Sequence, residues 1–243
     1  MLIKIAFFLF FTIPFTICCD DKPLSYPISE TPQLPLEVYE KEFGDILGTR
    51  PELIHLAKGF GFTEGPVYVS IKDKEEGYLL FTDQINDNIL MLRWHGLDPY
   101  NKITPLSWSQ PVVYRHPSSI ADGQTADLQG RLLTAETTGR RVSITELNSE
   151  VRTLVGFYQN KPLNSPNDLV VKSDGTVWFT DPSYGCLQFP QECYLPNNVY
   201  RFDPKTNSVW AIKLNTKGAK AIPIIIVDSA QNCSVSPTRK PRA

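Results

Sequence analysis

The chain has 243 residues, enough for one large domain or two small ones, and its 42% hydrophobic and 21% charged content is ordinary for a water-soluble globular protein. A net charge of −2 supplies no basic footprint, which argues against nucleic acid or an anionic membrane surface as partner. Twenty prolines against fourteen glycines point to many turns and strand edges, as all-β repeats require.

In chain order, the first feature is a targeting segment. Lys4 precedes an almost wholly apolar run over 5–17, with four phenylalanines among the first twelve residues. That length suits the apolar core of a signal peptide and is too short to span a bilayer. A leader is expected over 1–19, cleaved near Cys18 to Asp21, leaving no transmembrane anchor and a secreted or lumenal product. Lipid attachment at Cys18 or Cys19 is the alternative, although Thr16-Ile17 makes a poor lipobox. Residues 20–50, rich in proline and polar groups, read as a linker, and 36–47 allow a short helix with Glu37, Glu40, Lys41 and Glu42 on its polar side. Residues 51–58 have strand character and lead into a repeat region assigned to 51–214.

Three copies of one pattern then follow. The first contains Thr63-Glu64-Gly65-Pro66-Val67-Tyr68, then Tyr78-Leu79-Leu80-Phe81-Thr82-Asp83, then Asn88-Ile89-Leu90-Met91-Leu92-Arg93. The second contains Ala121-Asp122-Gly123-Gln124-Thr125, Arg131-Leu132-Leu133-Thr134-Ala135-Glu136 and Arg141-Val142-Ser143-Ile144-Thr145. The third contains Pro166-Asn167-Asp168-Leu169-Val170-Val171, Thr176-Val177-Trp178-Phe179-Thr180-Asp181 and Asn198-Val199-Tyr200-Arg201-Phe202-Asp203. The acids closing the middle strand, Asp83, Glu136 and Asp181, lie 53 and 45 residues apart. Such periods, with several short strands in each, indicate an all-β propeller with one four-stranded blade per repeat. Turns at 127–130 and 173–175 carry the glycine that a tight hairpin needs. Propellers bind ligands in the central channel, which the polar openings of the innermost strands line, so Glu64, Asp122 and Asn167 are the channel candidates.

After Asp203-Pro204 the pattern decays. Residues 208–214 allow a last strand, and 215–243 hold no fourth copy and read as a divergent or disordered tail, within which 222–227 allows a strand unlike the preceding blades. Cys186 and Cys193 flank a short loop that a disulfide closes in an oxidising compartment; two unpaired thiols are the alternative. Asp83 and Asp181 are expected to bond backbone groups, Tyr184 and Arg141 are weaker substrate contacts, and His55, His95 and His116 read as structural or surface residues. Phosphate loops, dinucleotide fingerprints and a serine nucleophile elbow do not occur.

The runs Phe62-Thr63-Glu64-Gly65-Pro66-Val67, Ala121-Asp122-Gly123 through Arg131-Leu132, Asn164-Ser165-Pro166-Asn167-Asp168-Leu169 and Val199-Tyr200-Arg201-Phe202-Asp203-Pro204 together resemble the gluconolactonase/regucalcin (senescence marker protein) family over about residues 53–207. The resemblance implies a six-bladed propeller with a divalent metal, usually Ca²⁺, at the channel mouth, acting on sugar lactones or related esters. It places Glu64 on the metal and Asn167 beside metal and substrate. It also implies an asparagine and an essential aspartate from later blades, and neither motif follows residue 204. Asp122 stands where many bacterial relatives have asparagine. Glu64 and Asn167 alone make a weak calcium site, since Ca²⁺ takes six to eight oxygens and favours anionic ones. Asp122 or Asp168 is then left as the base that activates water.

The resulting expectation is a calcium-dependent lactonase-like domain of about three blades, impaired or inactive as this polypeptide alone, with open blade edges that favour self-association. A non-catalytic propeller binding module is one rival. A strictosidine-synthase-like or phosphotriesterase-like hydrolase is another.

Overall fold

A computed structural model describes residues 54–71, 77–96, 107–212, 225–227 and 233–235, the last two segments and Ser70 by their backbone alone. The expected leader, the expected linker helix and most of the expected tail lie outside these residues. Each sequence repeat folds as an antiparallel sheet of four strands in sequential order. Blade 1 comprises β1 (Thr63–Ser70), β2 (Gly77–Asp83), β3 (Asn88–Arg93) and β4 (Val112–Arg115). Blade 2 comprises β5 (Ala121–Ala126), β6 (Leu132–Glu136), β7 (Arg141–Thr145) and β8 (Val151–Val155). A hairpin of β9 (Phe157–Tyr158) and β10 (Lys161–Pro162) leads to blade 3: β11 (Leu169–Val171), β12 (Val177–Asp181), β13 (Asn198–Asp203) and β14 (Ser208–Ile212). The short helix α1 (Tyr184–Gln188) stands between β12 and β13.

Alternation along the middle strands explains how the blades stack. In a strand, successive side chains point to opposite faces. Leu132 of β6 faces blade 1 and packs with Val69, Leu80, Ile89 and Ala121. Its neighbours Leu133 and Ala135 face blade 3 and join Leu169, Val177, Phe179, Tyr200 and Phe202. Every residue of β6 and of β12 is buried; both strands lie inside their sheets, and blade 2 is covered on both faces by its neighbours. The innermost strands β1, β5 and β11 are neighbours in that order, so the polar openings of three repeats meet along one axis.

The predicted turns form as expected: Gly130 and Gly175 take φ of 79° and 87°, and Gly130 N donates to Asp127 O at 3.0 Å. The strand expected over 51–58 does not form in its described part, since 54–60 make no ladder. Here Gly59 turns the chain at φ 96°, and the amides of Gly61 and Phe62 go to the Asp83 carboxylate instead of to a sheet partner. Leu56 and Phe60 still pack under blade 1, Phe60 edge-on to Phe81 with centroids 5.0 Å apart. Within the tail, β15 (Ile225–Val227) pairs with β16 (Cys233–Val235), so a strand forms there outside the three blades.

Cys186 and Cys193 are joined, with Cα atoms 5.8 Å apart. The loop they close is stitched to the segment ahead of β11. Asn164 Nδ2 donates to Leu195 O at 2.8 Å, and Gly185 N donates to Ser165 Oγ at 2.9 Å. Replacing both cysteines by serine is expected to lower stability by about 2 kcal/mol through regained loop entropy. A melting curve unchanged by that double replacement, or by reductant, would refute it.

Candidate functional site

Glu64, Asp122, Asn167 and Asp168 all come to the same end of the three inner strands, and the local chain geometry explains why. The ladder between β1 and β2 shifts register between Glu64 and Val67, and that between β5 and β6 shifts between Ala121 and Gln124. Such bulges re-aim side chains at the mouth of a sheet. Asn167 and Asp168 precede β11, where Asn167 N donates to Thr180 O at 3.0 Å and Asp168 N to Thr180 Oγ1 at 3.0 Å.

Bonds between blades draw these openings together. Asn167 Nδ2 donates to Asp122 Oδ2. Gly123 N donates to Asn167 O at 2.7 Å, Thr82 Oγ1 to Asp122 O at 3.2 Å, and Gln124 Nε2 to Gly65 O at 3.3 Å. Gly123 is small for a reason: a Cβ there would run into Asp168 Oδ1 and the backbone of Asn167 and Asp168.

The electrostatics are those of crowded acids. Burial, then the Glu64 charge, raises the Asp122 carboxyl to about 8, with Asp168 adding to the rise and hydrogen bonds from Gln84 and Asn167 opposing it. None of these groups is cationic. Glu64 is raised mainly by burial, against a bond from Gly65, with Asp168 adding to the rise. Asp168 is raised by the protein crowded around its carboxyl, against a bond from Leu169 N at 2.8 Å. Its residue surface is nevertheless exposed, which makes it the solvent-facing acid of the cluster.

Uncompensated carboxylates beside a carboxamide are the oxygen donors that a hard cation takes. With Nδ2 spent on Asp122, the amide oxygen of Asn167 is the atom left to ligate. Among the described residues, however, no three His, Cys, Asp or Glu side chains converge closely enough to hold a metal ion as they stand. The donor types therefore fit a cation, while coordination would need the acids to draw inward.

The remaining sequence candidates lie elsewhere. Arg141 binds Glu136 through Nε at 2.6 Å and reaches Thr153, so it is committed to an ion pair. Tyr184 opens α1 and is exposed. His55, His95 and His116 are exposed. Asp83 and Asp181 accept backbone amides as expected, and burial raises Asp181 to about 6 despite two such bonds. Sequence reasoning missed Gln84, whose side chain opposes the rise in the Asp122 pKa. Its only signal is adjacency to the strand-end acid.

Stacked four-stranded blades with a polar, acidic channel mouth define a β-propeller with a candidate metal and substrate site on its axis. The chain belongs to the SMP-30/Gluconolactonase/LRE-like region family, whose model matches residues 62–221. A gluconolactonase of Zymomonas mobilis is 28% identical over 159 residues, 61% of this chain and 42% of that protein. A gluconolactonase structure from Xanthomonas campestris superposes with a TM-score of 0.53 at 27% identity, covering 65% of this chain and 49% of the other. A putative gluconolactonase of known structure gives 0.52 at 30% identity, covering 64% and 50%. The chain spans about half the length, or less, of these relatives.

Proposed function

We propose a calcium-dependent hydrolase of sugar lactones, working at the channel mouth with Glu64 and Asn167 as cation ligands and Asp122 as the proton acceptor. Gluconolactonase-type proteins are metal-dependent in general, and their lactone chemistry supplies the substrate class. The observation that carries the reading is the meeting of Glu64, Asp122, Asn167 and Asp168 from three separate blades. Acids this close are neutralised either by holding a proton or by taking up a cation, and a cation site uses the second route.

A bound calcium ion would supply positive charge that polarises the lactone carbonyl and lowers the proton affinity of the acids around it. Asn167 holds the Asp122 carboxyl in place through Nδ2. In its carboxylate form, Asp122 takes a proton from water as the water oxygen bonds to the carbonyl carbon. The same proton passes to the ring oxygen as the ester C–O bond breaks, which leaves the open-chain acid. Asp168 flanks the cluster on its exposed side. Without a cation, burial and the Glu64 charge keep the Asp122 carboxyl largely protonated at neutral pH, so turnover should require calcium. We place the protein in an oxidising, secreted or lumenal compartment, a reading supported by the leader-like 1–19 and the Cys186–Cys193 bridge.

The test is calorimetric titration with Ca²⁺ and Mg²⁺, thermal melting with each, and a pH-stat panel of aldonolactones, aryl esters and phosphotriesters. Calcium at about 100 times its Kd should stabilise by about 2.7 kcal/mol. Calcium-independent melting without turnover would instead favour a binding module or an inactive fragment.

A further inference from the structure

We propose that Asp83, Asp87 and Asp181 are positioning residues, each of which clamps the backbone segment that delivers one site residue to the channel mouth. The clamp is a backbone matter, and only its metal readout rests on the function proposed above.

The three clamps share one register. Asp181 Oδ2 accepts Asn164 N and Oδ1 accepts Ser165 N, both at 2.8 Å, and Asn167 follows two residues later. Asp83 Oδ1 accepts Gly61 N and Phe62 N, both at 3.1 Å, and Glu64 follows two residues later. Asp87 Oδ1 accepts Ser118 N at 3.0 Å and Ile120 N at 2.7 Å, and Asp122 follows two residues later. In every case the pinned amide is the one two positions ahead of the site residue. None of these amides lies within a strand. A carboxylate is the natural receiver for them, because charge-assisted hydrogen bonds are shorter and stronger than neutral ones.

The exception in blade 2 shows that the clamp is more than a by-product of the repeat. The strand-end acid there is Glu136, and its oxygens are taken by Arg115, Arg141 and Ser143. The segment leading to Asp122 is held all the same, by Asp87 in the turn of the neighbouring blade at φ 52°. The pinned amide keeps its register while the residue that pins it changes. A site that must hold its groups within a fraction of an ångström needs such supports.

The test uses the full chain and three variants. Asp181→Asn keeps one acceptor oxygen but turns an NH₂ towards an amide, and Asp83→Asn does the same in blade 1. Val177→Ala, a buried apolar truncation in the same strand as Asp181, supplies a purely structural loss. Amide hydrogen exchange and calcium affinity are measured on each. Asp181→Asn should speed exchange over 164–168 by about tenfold or more and weaken calcium binding to a similar degree. Val177→Ala, with a comparable fall in melting temperature, should leave both within about twofold. Asp83→Asn should act on 61–64 in the same way, and it decides the matter should Asp181→Asn fail to fold. Unchanged exchange in the Asp→Asn variants, or an equal change in Val177→Ala, overturns the proposal. If the wild type binds no calcium, the metal reading falls, and exchange alone decides the clamp.

Discussion

Asp122→Asn is expected to stabilise the calcium-free protein increasingly as pH rises from 4 to 8, and to weaken its calcium affinity by removing a negative charge beside the ligands. The folded carboxyl titrates at about 8, against an ordinary value of 3.8. Between those values the unfolded chain releases the proton and the folded chain keeps it, so ionisation favours unfolding. The group's contribution is therefore fully present below about pH 4 and lost as pH climbs through about 8, with no further change above. Each pH unit between the two titrations is worth about 1.4 kcal/mol, so the wild type forfeits several kcal/mol across this window. Asparagine carries no charge and escapes the penalty. Calcium selects the ionised carboxyl, so its stabilising effect on the wild type should grow with pH, and this growth should vanish in the variant. Melting curves from pH 4 to 9, in chelator and in calcium, give both readouts. Parallel curves for the two proteins would show that Asp122 is neither buried among acids nor part of a cation site.

The blades were legible because their middle strands are buried along their length and so keep a mainly apolar run, with one buried threonine, that ends in an acid. Leu79 to Asp83, Leu132 to Glu136 and Val177 to Asp181 repeat that design. Outer strands give no such signal: Val112 and Val113 of β4 are exposed, and β8 alternates weakly. The strand expected over 51–58 is absent from its described part, 54–58. Leu56 and Phe60 pack under blade 1, but the chain turns at Gly59 and the Asp83 carboxylate takes the amides that follow.

The site residues were legible one by one and their chemistry was not. Glu64, Asp122 and Asn167 stand out as polar openings of inner strands. Their mutual effect depends on bonds across blades, such as Asn167 to Asp122, 45 residues apart, and Ile120 to Asp87, 33 residues apart. No periodicity within a repeat records which side chain will cross to the next. Gln84 and Asp87 were invisible for that reason. Asp122 itself reads as turn chemistry in an Asp-Gly pair until Glu64 and Asp168 are set beside it.

Gly65→Ala is the substitution expected to damage the fold and the site together. Gly65 adopts φ +53°, where an L side chain costs about 1–2 kcal/mol. A Cβ would also strike Asp122 O and crowd Gly123 Cα and Gln124 N, each 3.0 Å away. These are backbone atoms that cannot rotate aside, and overpacking of this kind adds about 1–3 kcal/mol. Gly130→Ala is the matched control: its φ is +79°, and nothing lies within 4 Å of its added Cβ. The control should lose only the conformational part. At the size of this chain, about 3 kcal/mol lowers the melting temperature by roughly 10 °C, so the two variants are separable by calorimetry. The excess loss in Gly65→Ala measures the seam between blades 1 and 2, because Asp122 O also accepts the Thr82 hydroxyl across it. Forcing that carbonyl outward moves Asp122 away from Glu64 and Asn167, so calcium affinity should fall in Gly65→Ala and hold in Gly130→Ala. Equal losses in the two variants would mean that the seam gives way freely and that the acids are not held in register by it.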